Sequence, residues 1–321
     1  IKMAAPTNTI VPAGVAGNRE DLSNLIERVA PEKTPFCSNI KGGGVKVTAT
    51  RHEWQTETLA TPDAASAQVD GDDTTSFEAN TRTRVANRVQ TKKRAVVVAG
   101  IQEAVDSAGV ASEMARQKLI KGIELKRDFE ARFIGNFASS EESGSTGRKA
   151  AGALAWATSN VSRGTNGANG GYSGTDCAAA TNGTQRTFTK DIMDAVIQSG
   201  FNNGATFSQI YMSAAHKAIF SGFAGLAANR YEINGLDEGV VVGGADVYLS
   251  NHGKMTIIPV QYGLTRDALF VDPSMCTLGT LRSPRYEELS KTGDNEKGQI
   301  LGDMTLIVKN EKGLGVAADL T

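Results

Sequence analysis

The sequence predicts an α+β protein of two lobes with a projecting arm, and three observations carry that expectation. Residues 45–99 read as two long strands around an acidic insertion, residues 110–137 form one unbroken helical stretch, and residues 190–271 alternate short helices with short strands. With 321 residues, 40% hydrophobic and 21% charged, the chain has the composition of an ordinary globular protein and enough material for a sizeable core.

The elements follow in order. Residues 1–17 are small, polar and rich in Ala, Gly and Pro, which suits an extended arm. Asn18 stands where an N-cap belongs, and Leu22, Leu25, Ile26 and Val29 follow at the i, i+3, i+4, i+7 spacing of a short amphipathic helix closed by Pro31. Val45, Val47 and Ala49 alternate with polar residues and lead a strand to Trp54, and residues 81–99 return as a second strand ending in Val96-Val97-Val98. In 110–137 the apolar Leu119, Ile123, Leu125, Phe129, Phe133 and Phe137 share about half the helix circumference, with Arg116, Lys121, Glu124, Arg127, Asp128 and Arg132 on the other half. Residues 139–183 turn to Gly, Ser, Thr, Asn and Ala around one large anchor, Trp156, and read as a long surface loop. Helices are expected at 190–201 and 214–224, and strands near 209–212, 240–242, 246–250, 255–260 and 268–271. The tail, 299–309 and then 315–320, is expected to pair back on the first lobe.

Between Trp54 and Val96 the charges are sorted by sign. Glu57, Asp63, Asp70, Asp72, Asp73 and Glu78 come first, then Arg82, Arg84, Arg88, Lys92, Lys93 and Arg94. An acidic stretch with almost no large apolar residue has nothing to bury, so it projects from the fold, while the basic stretch reads as one side of a strand. Such an arm suits docking on other copies of the same chain. The candidate inter-subunit contacts are therefore Leu22, Leu25, Ile26 and Val29 of the arm helix, Glu57, Asp70, Asp72, Asp73 and Glu78 of the loop, and Arg82, Arg84 and Arg88 of the strand.

The same sequence offers little chemistry. Basic and acidic residues number 34 and 35, without the positive excess of a protein whose main task is gripping nucleic acid. Cys37, Cys177 and Cys276 fit neither a metal pair nor a disulfide framework and read as free thiols. His52, His216 and His252 are scattered, and no H-E-x-x-H, G-x-S-x-G or S-x-x-K pattern occurs. Gly144-Ser145-Thr146-Gly147-Arg148-Lys149 lacks the spacing of a phosphate loop. Asp70-Gly71-Asp72-Asp73 lacks an EF-hand's closing glutamate, since Thr81 stands at position 12, and reads as a solvated acidic loop. Asp191, Asp194, Asp267 and Asp272 are not brought together by any pattern. No catalytic residue, cofactor or metal is expected, nor any membrane span: no run approaches the roughly 18 apolar residues a span requires. The opening residues lack the order of a signal peptide, so synthesis in the cytoplasm is expected.

A set of short motifs in fixed order resembles one family. Gly17-Asn18-Arg19-Glu20-Asp21-Leu22 runs into Ala30-Pro31 and Thr34-Pro35-Phe36, followed by Glu53-Trp54-Gln55-Thr56-Glu57, Arg82-Thr83-Arg84-Val85-Ala86-Asn87 with Gln90, and Glu124 to Glu130. Leu289 to Gln299, Thr305-Leu306 and Asn310-Glu311 complete the series. From about residue 17 to the end the chain is similar to tailed-bacteriophage major capsid proteins of the SU-ten type. The resemblance implies the Hong Kong 97-like capsid fold: an N-terminal arm (1–30), a peripheral domain (31–54, 81–149 and 291–321) on a spine helix at 110–137, an extended loop (55–80) and an axial domain (150–290).

The function so implied is self-assembly into the icosahedral shell that encloses double-stranded DNA, in the virion of a tailed phage assembled in the bacterial cytoplasm. Expected partners are copies of the chain as hexamers and pentamers, portal protein, scaffolding and decoration or cement proteins, and DNA on the inner face without sequence specificity. The loop tip from Glu57 to Asn80 holds no lysine, so the lysine–asparagine cross-link of some relatives is not carried over. The alternatives are an encapsulin-type nanocompartment shell and a soluble hydrolase.

Overall fold

The computed structural model of the chain describes residues 30–40, 44–71, 73, 77–105, 108–223 and 246–321. The expected arm helix at 18–29, the strand at 240–242 and Asp72 lie outside these. In chain order come α1 (Pro35–Ile40), β1 (Val45–Lys46), β2 (Arg51–Glu57), β3 (Arg82–Arg88), β4 (Gln90–Ala99), α2 (Gly100–Ala104) and α3 (Glu113–Ile134). Then follow α4 (Ala153–Trp156), β5 (Asn160–Ser162), β6 (Gly171–Tyr172), β7 (Cys177–Ala178), α5 (Lys190–Asn202), β8 (Gln209–Ser213) and α6 (Ala214–Ser221). The last elements are β9 (Val247–Ser250), β10 (Gly253–Val260), β11 (Ala268–Val271), β12 (Cys276–Leu289), β13 (Asn295–Val308) and β14 (Leu314–Ala317).

Two sheets organise the chain, a four-stranded one in the order β1-β12-β13-β4 and a six-stranded one in the order β5-β14-β11-β8-β10-β9. The longest pairing is the antiparallel hairpin of β12 and β13, fourteen residues each. The expected boundary at 290 cuts this hairpin at its turn. Because the two strands are hydrogen-bonded along most of their length, β12 belongs with β13 in the first sheet, although sequence reading assigned it to the second lobe. The tail is also divided. β13 pairs with β4, as expected of a return to the first lobe, whereas β14 runs between β5 and β11 in the interior of the six-stranded sheet. Leu314, Val316 and Ala317 are fully buried there. A strand enclosed on both edges and both faces needs small and β-branched side chains, which Leu-Gly-Val-Ala supplies.

α3 begins where Ser112 accepts a hydrogen bond from the Ala115 N–H at 3.2 Å, an N-cap that satisfies one of the free donors of the first turn. It buries Met114, Leu125, Phe129, Phe133 and Ile134 rather than the whole expected stripe. Phe137 lies beyond the helix beneath the Arg132 guanidinium, 4.6 Å from its ring centre. Leu119 is 74% exposed. The helix is enclosed at its C-terminal half, against α1 and α4, and its N-terminal half rests on the sheet along one side. Residues Lys92 and Arg94 of β4 tie its C-terminal half to the sheet: Lys92 donates to the Asp128 carbonyl, and Arg94 makes a bidentate pair with the Asp128 carboxylate at 2.7 Å for each bond.

The stretch read as a surface loop is exposed over much of its length but carries an interior segment. Ala150, Ala151 and every residue from Ala153 to Ala157 are buried, with Trp156 in the main core. A Cβ placed on Gly152 would lie 2.1 Å from the Gly135 carbonyl oxygen, so here small residues serve close packing of backbone on backbone. Composition that signals looseness in one context supplies contact in another.

Glu130 joins α1 to α3. Its carboxylate is fully buried and accepts from the Phe36 and Cys37 N–H groups, both at 2.8 Å, at the start of α1. Burial pushes its pKa up, and these two donors oppose that shift. Replacing Glu130 with Ala strands both donors in the interior at a cost of about 1–3 kcal/mol each. Urea unfolding of the unassembled subunit should show a clearly lower midpoint at unchanged slope, with Glu130→Gln in between; a wild-type midpoint for Glu130→Ala would deny the carboxylate this role.

Candidate assembly surface

β2 and β3 form a two-stranded ribbon with no further strand on either edge among the described residues, in the register Arg51↔Arg88 to Glu57↔Arg82. Isolated two-stranded ribbons are marginal in water, so the ribbon depends on its base. There Arg88 is buried and makes a bidentate pair with Asp176, 2.6 Å from Nε and 3.2 Å from Nη2, with Glu141 at 2.9 Å. Arg51 donates to the Tyr172 hydroxyl at 3.0 Å. Asn87 donates to the Leu306 carbonyl at 2.7 Å and accepts from the Ala151 N–H at 2.9 Å. Trp54 sits 5.6 Å from Trp156, which stacks on Tyr172 at 5.8 Å with rings 8° from parallel. The ribbon is thus fixed to the 139–183 segment by two arginines, an asparagine and an aromatic ladder.

Its outer part is open to solvent. Every described residue from Glu57 to Arg84 is exposed, including Leu59 (89%), Val69 (77%) and Phe77 (85%). Three large apolar side chains held this far into solvent on a clamped support mark a surface awaiting a partner.

The expected contact residues fall into three groups. Asp70, Asp73 and Glu78 are exposed, and no ion pair joins them to another described residue. Glu57, Arg82 and Arg84 are exposed too, but they pair along the ribbon, Arg82 with Glu57 at 3.6 Å and Arg84 with Glu53 at 3.4 Å. Arg88 departs from expectation: it lies inside the subunit, neutralised by Asp176, and is an internal clamp rather than a contact with a neighbour. Lys92 and Arg94 are likewise spent on α3, and burial pushes the Lys92 pKa down to about 8. Leu22, Leu25, Ile26, Val29 and Asp72 lie outside the described residues.

Sequence reasoning missed the clamp and the apolar tip. Trp54 and Arg88 were visible as residues, but their partners Trp156 and Asp176 lie about a hundred residues away and carry no local signal. Leu59, Val69 and Phe77 did leave one, as lone apolar residues in a polar run.

Nothing among the described residues gathers into a catalytic or metal constellation. No group of three or more His, Cys, Asp or Glu there could hold a metal ion. His52 packs on Trp54, His252 on Phe201 and buried His216 near Phe188, and burial lowers the pKa of His52 and His216. Asp194 is held by Lys190 and Tyr248, Asp272 caps Ser274, and buried Asp267 accepts from the Asp319 N–H. No described helix is long and apolar enough to cross a membrane.

A clamped ribbon, a spine helix on a long hairpin sheet and a second six-stranded lobe define the class of phage capsid folds. The cyanophage A-1(L) capsid asymmetric unit superposes with a TM-score of 0.67 at 11% identity, over 97% of this chain and 98% of that one. A Gordonia phage Cozz structure gives 0.60 at 12% over 99% and 98%, and the capsid of a native GTA particle 0.59 at 14% over 97% and 98%. The chain belongs to the SU10 major capsid protein family, whose model matches residues 5–321. The major capsid protein of Escherichia phage Phieco32 is 30% identical over 128 residues, a match covering 40% of this chain and 36% of that protein.

The clamp has a pH signature. The Arg88 guanidinium beside Asp176 holds that carboxyl below the usual carboxylate range. A carboxylate with a lowered folded pKa contributes fully above its unfolded value, about 3.9, and loses that contribution only as the pH falls through the lowered value. The chain's two tryptophans both sit at this junction. Their emission in the unassembled subunit should stay constant from pH 7 to 5 and shift to the red only below about pH 4, whereas Arg88→Met should show the red shift at pH 7. A wild-type transition between pH 5 and 6 would contradict the assignment.

Proposed function

We propose that this chain is the major capsid protein of a tailed bacteriophage, assembling by self-association into the icosahedral shell around double-stranded DNA. The observation that carries the reading is the ribbon: anchored rigidly at its base, uncovered at its tip, in a chain of this capsid family. Hexamers and pentamers of the chain are its first partners. Portal, scaffolding and cement proteins and the DNA on the inner face follow from membership of a complete particle, as does assembly in the host cytoplasm.

The tip lies over the basic strand or spine helix of an adjacent subunit. With Arg88, Lys92 and Arg94 used internally, exposed Lys93 of β4 and Lys126 of α3 are cations that remain to receive the acidic loop. Magnitudes divide the labour. An exposed ion pair contributes about 0–1 kcal/mol, whereas burying a leucine, valine or phenylalanine side chain contributes about 1.5–3 kcal/mol. Leu59, Val69 and Phe77 therefore supply the affinity, and the acids select register and orientation. Each subunit touches several others, so the later contacts form at high effective concentration and the shell closes cooperatively while single contacts stay weak enough to correct errors.

Negative-stain microscopy and size-exclusion chromatography of the purified protein test this. Phe77→Asp should leave a folded subunit that forms few shells. The triple variant Asp70→Lys, Asp72→Lys, Asp73→Lys should lower shell yield at low salt and recover part of it as salt screens the misplaced charges. Unchanged yield of the triple variant at low salt would remove the charges from the mechanism, and a wild-type protein that stays monomeric at high concentration would overturn the shell function itself.

A further inference from the structure

Between α3 and β12 runs an open groove of about 640 Å3. Leu119, Ile123 and Phe129 line it from the helix, and Pro284, Tyr286 and Met304 line it from the sheet. Leu119 is a large apolar side chain that α3 leaves in solvent. The charged residues of the lining are all cations, Lys118, Lys126 and Arg285. Lys118 lies over the Tyr286 ring at 4.1 Å, Glu287 engages Arg285 at 2.6 Å, and Lys126 is exposed. No carboxylate is among the described lining residues, although α3 carries Glu113, Glu124, Asp128 and Glu130. The helix therefore turns its acids away from this groove.

The ribbon tip is the complement in both respects. Residues 58–81 contain no lysine or arginine, and their described acids Asp63, Asp70, Asp73 and Glu78 are exposed. Leu59, Val69 and Phe77 stand in solvent among them. The groove of the same chain does not receive these side chains, since all three are exposed in the subunit and the pair of Arg88 with Asp176 fixes the ribbon's direction. One chain thus carries an uncovered segment that is apolar and acidic and an open groove that is apolar and basic. Two unlike, complementary surfaces on identical subunits make a head-to-tail contact between copies. Phe77 is the largest of the three, and aromatic anchors in desolvated pockets dominate such contacts. The lining follows α3 from Lys118 to Phe129, about 16 Å at 1.5 Å per residue, room for about five residues of extended chain.

We propose that the groove between α3 and β12 is the receptor for the ribbon tip of a second copy of the chain, which seats its apolar side chains there, Phe77 foremost, and sets its carboxylates against Lys118 and Lys126. The inference rests on the shell reading and narrows it, from a tip lying over a basic surface to one apolar seat on the β12 side of the helix. The lysines then act as a filter: they admit a segment without positive charge, and the groove between them supplies the burial.

Two full-length variants, both with the groove thiol removed by Cys37→Ser, are mixed, assembled and oxidised. One carries Leu119→Cys, the other Leu59→Cys, Val69→Cys or Phe77→Cys. A disulfide requires Cα atoms within about 7 Å, so peptide mapping of the shells should find residue 119 of one chain joined to at least one tip position of another. Shells seen by negative stain but lacking every such bond would overturn this seat and leave the shell function standing, whereas a wild-type chain that forms no shells would overturn both. A charge exchange needs no cysteine. Lys118→Glu, Lys126→Glu should lower shell yield about fivefold at low salt, and adding Asp70→Lys, Asp73→Lys to the same chain should restore it, with the circular dichroism of the subunit unchanged throughout. A yield untouched by the lysine reversals, or not restored by the exchange, would refute the assignment.

Discussion

The clamp between the ribbon and the 139–183 segment is the constraint on which the rest of the structure depends. Arg88 is buried and charged, and the desolvation of a guanidinium is tolerable only because Asp176 and Glu141 meet it with direct hydrogen bonds. Around that pair, Asn87 fixes the strand to backbone on both sides, and Trp54, Trp156 and Tyr172 exclude water. The orientation of the ribbon is therefore set within the subunit. What happens at its tip is not, since every described residue there faces solvent. A rigid base with an uncovered end is a geometry that only a second molecule completes.

The body transmits that orientation. β4 continues directly from β3 after one residue and pairs with β13 over ten positions, and β13 in turn pairs with β12. Lys92 and Arg94 lock α3 onto the same strand, and Glu130 locks α1 onto α3. Arginines and a lysine that sequence alone would assign to a neighbour are thus part of a chain of internal contacts from ribbon to spine. The cost of enclosing them is met by carboxylates and carbonyls of the same subunit, while the acidic loop stays open to exchange with a partner.

Local pattern was legible where structure is local. The long run of strong helix formers gave α3 to within three residues at each end, and the apolar block at 268–271 matched β11 residue for residue. The projecting acidic loop was legible because residues with nothing to bury cannot fold inward. The misreadings share a different cause. Ala150 to Ala157 looked loose because alanine and glycine carry no pattern, yet their smallness is what lets Gly152 approach Gly135. β14 was given to the wrong sheet because its partners β5 and β11 lie far away in sequence, and Arg88 looked available because Asp176 is 88 residues distant. Long-range pairing decides sheet membership and charge satisfaction, and no window of sequence displays it.

Amide hydrogen exchange resolved to peptides within 58–81, compared between the unassembled subunit and intact shells, tests the central claim most directly. The account predicts that the amides of 58–71 and 77–81 exchange in the free subunit almost as fast as in an unstructured peptide, while those of 85–89 at the clamp are protected in both states. It further predicts that 58–81 gains protection of on the order of a hundredfold or more once the tip is covered, as local opening becomes coupled to the interface. Equal, fast exchange of 58–81 in free and assembled protein would contradict it, since the ribbon would then carry no contact between subunits.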